Sequence, residues 1–313
     1  MTDEERPEHQ TVLLREAVAG LRTDQDGLYV DGTFGRGGHS RLLLSGLGSA
    51  GRVIGIDRDP EAVAAGQVLA QSDPRFTMLR GAFSDMRRLL DAAHIDEPLT
   101  GVLLDLGVSS PQLDQAERGF SFLQDGALDM RMDPQSGESA AAWLARAEEG
   151  EIAQVLKEYG EERFARRIAR ALVEARTAAP IATTLRLAKI VAEANPAWEK
   201  GKHPATRAFQ AIRIHVNDEL GELTRLLEQV LGLLKVGGRL AVISFHSLED
   251  RLVKRFIRQH ARGDELPAYI PVTASELQVR LRAVGKAVQP GAAEVDANPR
   301  SRSAVLRVAE KLA

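Results

Sequence analysis

The chain has 313 residues, 44% hydrophobic and 27% charged, with a formal net charge of −3. This length supports one large domain or two modest ones with real cores, and the balance excludes a disordered or a membrane-embedded chain. Cysteine is absent and the seven histidines show no paired ligand spacing, so neither disulfides nor a metal centre is expected. The acidic start Met1–Glu5 lacks an apolar signal core and no apolar run is long enough to cross a bilayer. A cytoplasmic location without a membrane partner is therefore the expectation.

In chain order, Leu28–Val30 reads as a short buried strand ending at Asp31, followed by a glycine-rich turn, Gly32-Thr33-Phe34-Gly35-Arg36-Gly37-Gly38. A helix is expected from about Ser40 to Leu47. A second strand, Arg52–Ile56, ends at Asp57, and Asp59-Pro60 opens the next helix, since proline suits a first helical turn. Further strands are expected near Arg75–Leu79 and at Gly101–Leu104, the latter ending at Asp105. Continuous apolar strands separated by helices predict a parallel sheet covered on both faces.

After Asp105 the rhythm breaks. The stretch from Leu113 to about His203 is rich in Ala, Arg and Glu and helical in period, with Thr183 or Thr184 as a plausible N-cap. The strand rhythm resumes only at Arg239–Ile243, reached through a crossover helix within Ala205–Leu234. A helix from about Leu248 to His260 and two late strands, Ala283–Val288 and Ala304–Ala309, close the chain. The economical reading is a discontinuous α/β domain over 1–112 and 205–313, interrupted by an all-helical domain over 113–204. The connection between the late strands is too short for an ordinary helical crossover, so they are expected to pair antiparallel at the sheet edge.

A glycine-rich turn between a first strand and a first helix lets a ligand approach the backbone at the positive end of the helix. Asp57, about 20 residues beyond Gly37, is placed to accept hydrogen bonds from ribose hydroxyls. Together these mark an adenosine-cofactor site rather than a chance loop with a capping aspartate. Counting from Gly35, the third glycine of a dinucleotide fingerprint is replaced by Ser40. Asp31 at the mouth of the turn is awkward beside pyrophosphate but suits a ligand carrying an ammonium and a sulfonium. The expected cofactor is S-adenosylmethionine and the expected fold a Rossmann-like class I methyltransferase. The match to an acid-x-Gly-x-Gly-x-Gly pattern departs at Thr33, which stands where the first glycine belongs. A nicotinamide oxidoreductase is the runner-up fold reading, opposed by the missing glycine and the late strand pair.

Six segments carry a more specific resemblance: Asp31–Ser40, Asp105–Leu113, Gly119–Met132, His203–Ile214, Ser244–Arg251 and Asn298–Arg307, together with His9–Glu16 near the start. In order and over nearly the whole chain, they resemble the bacterial ribosomal RNA small-subunit methyltransferase H family (RsmH, also called MraW). The resemblance implies methylation of the exocyclic N4 of a cytidine in the decoding region, at the P site, of 16S ribosomal RNA in the small subunit. No DNA partner is implied, and monomer and homodimer both stay open. Carried over by residue, the cofactor contacts fall on Gly37, Gly38, His39, Asp57, Phe83, Asp105 and Gln112, joining Asp31 and Gly35 from the reading above.

A cytosine amino nitrogen is a poor nucleophile because its lone pair is delocalised into the ring, so the protein must orient it and accept hydrogen bonds from its N–H groups. Asp105 is the expected acceptor, with His246 as a proton acceptor and Ser247 beside it. Ser109, Ser110 and the Ser244–Ser247 loop are expected to form the cytosine pocket. The Pro-Pro-aromatic motif of many amino-methyltransferases is missing after Asp105, where Leu106-Gly107-Val108 follows. Basic residues cluster at Arg163, Arg166, Arg167 and Arg170, at Arg251, Lys254, Arg255 and Arg258, and at Arg300, Arg302 and Arg307. On a helix starting near Glu161, Arg163, Arg167 and Arg170 share one face and are assigned to RNA phosphates, with Arg207 and Arg300 as further substrate residues. A non-catalytic RNA-binding assembly factor on a cofactor fold is the remaining alternative.

Overall fold

The structure, a computed structural model, describes residues 11–197, 203–262 and 279–313; His9 and Gln10 of the first family-like segment lie outside them. The chain forms two compact units, Met1–Gly107 with Gly221–Ala313, and Val108–Leu220.

The first unit opens with α1 (Leu14–Leu21), which buries Ala17, Val18 and Leu21. Leu13, in the left-handed region at φ 48°, leads into it and donates its N–H to the Glu294 carboxylate at 2.7 Å. There follow β1 (Leu28–Asp31), α2 (Gly38–Ser45), β2 (Arg52–Asp57), α3 (Pro60–Ser72), β3 (Phe76–Arg80), α4 (Met86–Ala92) and β4 (Leu99–Asp105). β1 is buried throughout, as a central parallel strand of apolar residues must be. Asp59 caps α3 by accepting the Glu61 N–H, and Pro60 is the first helical residue, as the sequence led one to expect.

The second unit is built on helices: α5 (Ser110–Asp114), α6 (Ala140–Arg146), α7 (Glu149–Gly160), α8 (Ala165–Ala178), α9 (Thr184–Ala194) and α10 (Thr206–Asn217). Its own core gathers Trp143, Leu156, Ile168, Leu187 and Ile212. Thr183 caps α9 through the Arg186 N–H. Two expectations are corrected. Glu161 is left-handed and ends α7, so α8 starts at Ala165 rather than near Glu161. The stretch Ala205–Leu234, assigned to the crossover, holds two helices separated at Asp218 (φ 48°), and only the second makes the crossover. The first of them, α10, buries Ala208, Phe209, Ala211 and Ile212 in the helical core, which widens this unit beyond the expected 113–204.

The crossover is therefore α11 (Glu219–Leu233), whose Leu223, Leu226, Leu227 and Val230 are buried at the i, i+3, i+4, i+7 spacing of one apolar stripe. It leads into β5 (Leu234–Ser244), α12 (Ser247–Arg262), β6 (Leu281–Ala283), α13 (Ala292–Ala297) and β7 (Val305–Lys311). The sheet runs β3-β2-β1-β4-β5-β7-β6. Its first five strands are parallel, and β7 lies antiparallel between β5 and β6. The first late strand is earlier and shorter than expected; Val288 instead makes an isolated bridge to Leu306. Because β1 feeds β2 and β3 on one side while β4 lies on the other, strand order reverses between β1 and β4. Ligands of open α/β sheets bind at the carboxyl ends of such a pair. Among the described residues no helix is long and apolar enough to cross a membrane.

Candidate active site

The carboxyl ends of β1, β2 and β4 deliver Asp31, Asp57 and Asp105, and the glycine turn lies over them. Gly37 is left-handed (φ 78°) and caps α2, and a Cβ there would come within 2.6 Å of the Phe34 ring. A Cβ on Gly38 would stand 1.9 Å from Thr11 Oγ1. Phe34 and Thr11 pack so closely on the turn that a side chain at either position would force them to move. Phe83, in a short 3-10 turn after β3, packs beside this loop: a Cβ on Gly32 would meet the Phe83 Cβ at 3.2 Å.

Asp57 binds the loop to its own strand. Its two carboxylate oxygens accept the N–H of Gly35 at 2.8 Å and of Asp59 at 2.9 Å. Each oxygen retains a second lone pair, so the carboxylate can also receive ribose hydroxyls. Asp57→Ala should then weaken cofactor binding by roughly 1.5–3 kcal/mol, at least about tenfold, and also loosen the turn at Gly35. Calorimetry on the folded variant checks this; unchanged affinity would remove Asp57 from the ligand set.

Asp31 is buried, accepts the Ser40 hydroxyl at 2.7 Å and the Thr33 N–H at 3.3 Å, and is pushed up to about 6 chiefly by burial. Ser40, the residue that breaks the dinucleotide fingerprint, thus holds the acid at the mouth of the turn. Thr33 has a matching role: its hydroxyl accepts the Asp105 N–H at 2.6 Å, tying the turn to the end of β4. Glycine could not do this, which explains the departure from the usual pattern.

Asp105 has one buried oxygen, Oδ1, with no hydrogen-bond partner. Burial raises its pKa well above the usual carboxylate range, and the nearby Asp31 and Glu249 add to the shift. His39 is buried with Nε2 unpartnered. Its Nδ1 lies 3.8 Å from Asp105 Oδ2, but burial holds its pKa at about 4, so the ring is neutral at ordinary pH and the contact is not an ion pair.

His246 sits in the turn between β5 and α12. Both ring nitrogens are buried without a hydrogen bond, although Nε2 approaches Glu249 Oε1 at 3.1 Å. Glu249 was not foreseen as a site residue. It is buried in the first turn of α12, and its Oε2 accepts the N–H groups of Phe245 at 2.9 Å and His246 at 3.4 Å. The only available signal was its i+3 spacing from His246 in Ser244–Arg251. Ser247 is the exposed first residue of α12, and Arg300 lies in a 3-10 turn before β7.

The remaining expected site residues belong to the helical unit. Ser109 caps α5, and Gln112 Oε1 accepts the Ser109 N–H at 2.9 Å. The carbonyl oxygen of Gln112 thus serves this cap, which the ligand assignment did not anticipate. Ser110 is the first residue of α5. Arg163 precedes α8 rather than riding on it, with its guanidinium 5.5 Å from the Phe164 ring centroid. Arg163, Arg166, Arg167 and Arg170 are all exposed, and Arg170 approaches Glu149 at 3.8 Å. Arg207 is exposed and donates to the Glu161 carbonyl at 3.1 Å.

The cradle is thus lined by Asp31, Asp57 and Asp105, with Glu249 close enough to Asp105 to raise its pKa. Such a donor set suits a cationic ligand and would repel pyrophosphate. With the sheet order and the antiparallel β7, it defines a class I S-adenosylmethionine-dependent methyltransferase. Residues 6–312 match the MraW methylase family, and the chain belongs to that family. A ribosomal RNA small subunit methyltransferase H from Thioalkalivibrio sulfidiphilus is 60% identical over 100% of both chains. Another of the same name, from a Marinomonas species, is 56% identical over 97% of each. Among solved structures, an rRNA methylase from Streptococcus thermophilus covers 95% of this chain and 92% of its own, with 13% identity and a TM-score of 0.42.

Proposed function

We propose that this protein methylates the exocyclic N4 of a cytidine in the decoding region of 16S ribosomal RNA, within the small subunit. The full-length relatives named for small-subunit ribosomal RNA support the substrate class. One observation carries the amine as acceptor: the buried, unpartnered Oδ1 of Asp105 at the carboxyl end of β4. An unsatisfied carboxylate oxygen at a ligand crevice is a strong acceptor waiting for N–H. The residues fit S-adenosylmethionine, which supplies the electrophilic methyl group: Asp57 for ribose hydroxyls, Phe83 for the adenine face, and Asp31 for positive charge. A positive charge placed among these carboxylates favours their ionised forms. Ionised Asp105 accepts a hydrogen bond from the cytosine amino group and orients its lone pair. His246, whose Nδ1 is buried without a hydrogen bond while Nε2 faces Glu249, can accept the proton released after transfer. The Ser244–Ser247 loop is proposed to contact the base, and Ser109 and Ser110 are proposed as substrate residues of the helical unit.

The exposed Arg163, Arg167 and Arg170 are proposed to hold RNA phosphates. Changing all three to Glu should raise KM for subunits and leave cofactor affinity intact, with the gap from wild type shrinking as salt rises. Transfer at the wild-type rate under subsaturating subunits would free this face of any RNA role. The chemistry itself is tested by hydrolysing RNA labelled from the cofactor to nucleosides. Label in N4-methylcytidine is expected; label on a ring carbon or a ribose would defeat the amine assignment.

A further inference from the structure

The site described above leaves one cationic feature of the methyltransferase unit without a role. The outer face of α12 carries Arg251, Lys254, Arg255, Arg258 and Arg262, all exposed, while Val253, Ile257 and Glu249 are buried beneath. At 3.6 residues per turn these five fall within an arc of about 100° and extend over about 16 Å. Ser247, at the start of the helix, falls on the same stripe. No exposed acid interrupts it. Glu249 is turned into the protein, and Asp250 is engaged by Arg307 in a two-pronged pair at 2.6 and 3.0 Å.

Arg36 pairs with Glu61, Arg88 with Asp85 and Arg146 with Glu138. On α12, by contrast, no ion pair or hydrogen bond among the described residues engages the side chains of Lys254, Arg255, Arg258 or Arg262. Like charges three and four residues apart destabilise a helix, and this chain is acidic overall. A stripe of unneutralised cations is therefore an arrangement that the fold does not need and that an external polyanion would relieve.

We propose that the α12 stripe is a docking surface for the phosphate backbone of the substrate RNA, separate from the Arg163–Arg170 patch of the helical unit. The inference rests on the reading that the substrate is RNA. Three of its four unneutralised cations are arginines, whose planar forks suit phosphate oxygens. The helix starts directly beyond His246, so RNA that presents a base to this turn has a continuous cationic track leading away from it. Its apolar face packs against β5, β6 and β7, so α12 has no apolar side left to lay into a lipid surface. The contact is sequence-independent and positions the substrate rather than reading it.

The test compares wild type with the K254Q/R255Q/R258Q/R262Q protein, using filter binding of transcribed 16S ribosomal RNA from about 50 to about 300 mM salt. Each lost phosphate contact flattens the slope of log K against log salt by about 0.7 on single strands, so the variant should be shallower by about 3 and bind at least about tenfold more weakly at low salt. S-adenosylhomocysteine affinity should be unchanged. The R255K/R258K/R262K protein keeps the charge and should keep the wild-type slope. If the quadruple variant has lost its fold, shown by lost cofactor binding, R258Q and R262Q singly should each flatten the slope by about 0.7. Equal slopes and affinities overturn the proposal. So does loss of binding to phosphatidylglycerol vesicles with RNA binding unchanged. RNA binding with a steep slope but no methyl transfer to subunits would defeat the cytidine reading and leave the stripe standing.

Discussion

Asp105→Ala is expected to slow methyl transfer by about two to three orders of magnitude at saturating cofactor, the scale seen when one preorganised hydrogen-bonding group is removed from a reacting centre. The reason lies in where the carboxylate sits. Its main chain is fixed by Thr33 at 2.6 Å, and its Oδ1 is buried without a partner, so it is positioned before substrate arrives. A group that acts on the developing transition state lowers kcat as well as kcat/KM. Its raised pKa adds a second signature. Protonated Asp105 cannot accept in the same way, so kcat/KM should fall as pH drops through that raised pKa, and Asp105→Asn should abolish this acid limb. Full recovery of turnover by Asp105→Ala at saturating cofactor would reduce Asp105 to a ligand contact. His246→Ala should have a smaller effect, because its proton leaves after the methyl has moved and water can accept it.

Asp31→Asn is expected to stabilise the ligand-free protein while weakening its hold on S-adenosylmethionine by more than about tenfold. Burial moves Asp31 from its ordinary 3.8 to about 6, a penalty on the charged form of about 3 kcal/mol. The folded protein therefore binds more protons than the unfolded chain between those two pH values. Its stability should fall as pH rises through that window and level off above it. Asparagine removes this slope, and the unfolding midpoint near neutral pH should rise by several degrees. If, as proposed, the same carboxylate supplies negative charge for the cofactor, the cofactor should bind wild type less tightly as pH falls below about 6. Calorimetric Kd values across this range, with thermal melts of both proteins, decide the matter. A destabilised Asp31→Asn protein with unchanged cofactor affinity would show that Asp31 serves the fold rather than the ligand.

Much of this architecture was legible because it depends on local chemistry. Apolar strands ending in Asp31, Asp57 and Asp105 placed three acids at one sheet edge, and the glycines between the first strand and helix marked the cradle. The antiparallel edge strand followed from a connection too short to cross over. What escaped the sequence was decided by single-residue backbone states and by tertiary packing. Left-handed Asp218 interrupts a stretch whose period reads as continuous helix, and it is not a glycine that would have signalled the break; at Gly160 the break itself was legible, but left-handed Glu161 delays the next helix to Ala165. α10 looked like part of the crossover because its apolar spacing does not say which core receives it. At the site, Asp57 and Gln112 were read as ligand contacts, but both also serve local hydrogen bonds to backbone N–H groups. Glu249 was hidden because a glutamate in a first helical turn ordinarily reads as a solvated cap rather than a buried one.

The activity proposed for this cradle is transfer of a methyl group to one cytidine amine. The direct test is transfer from labelled S-adenosylmethionine onto small subunits purified from a strain lacking this protein, followed by mapping of the modified nucleotide. About one methyl group per subunit is expected, on N4 of a single cytidine in the decoding region, and its loss with Asp105→Ala. Label spread over many nucleotides, fixed at another atom, or retained in full by the Asp105→Ala protein would contradict it.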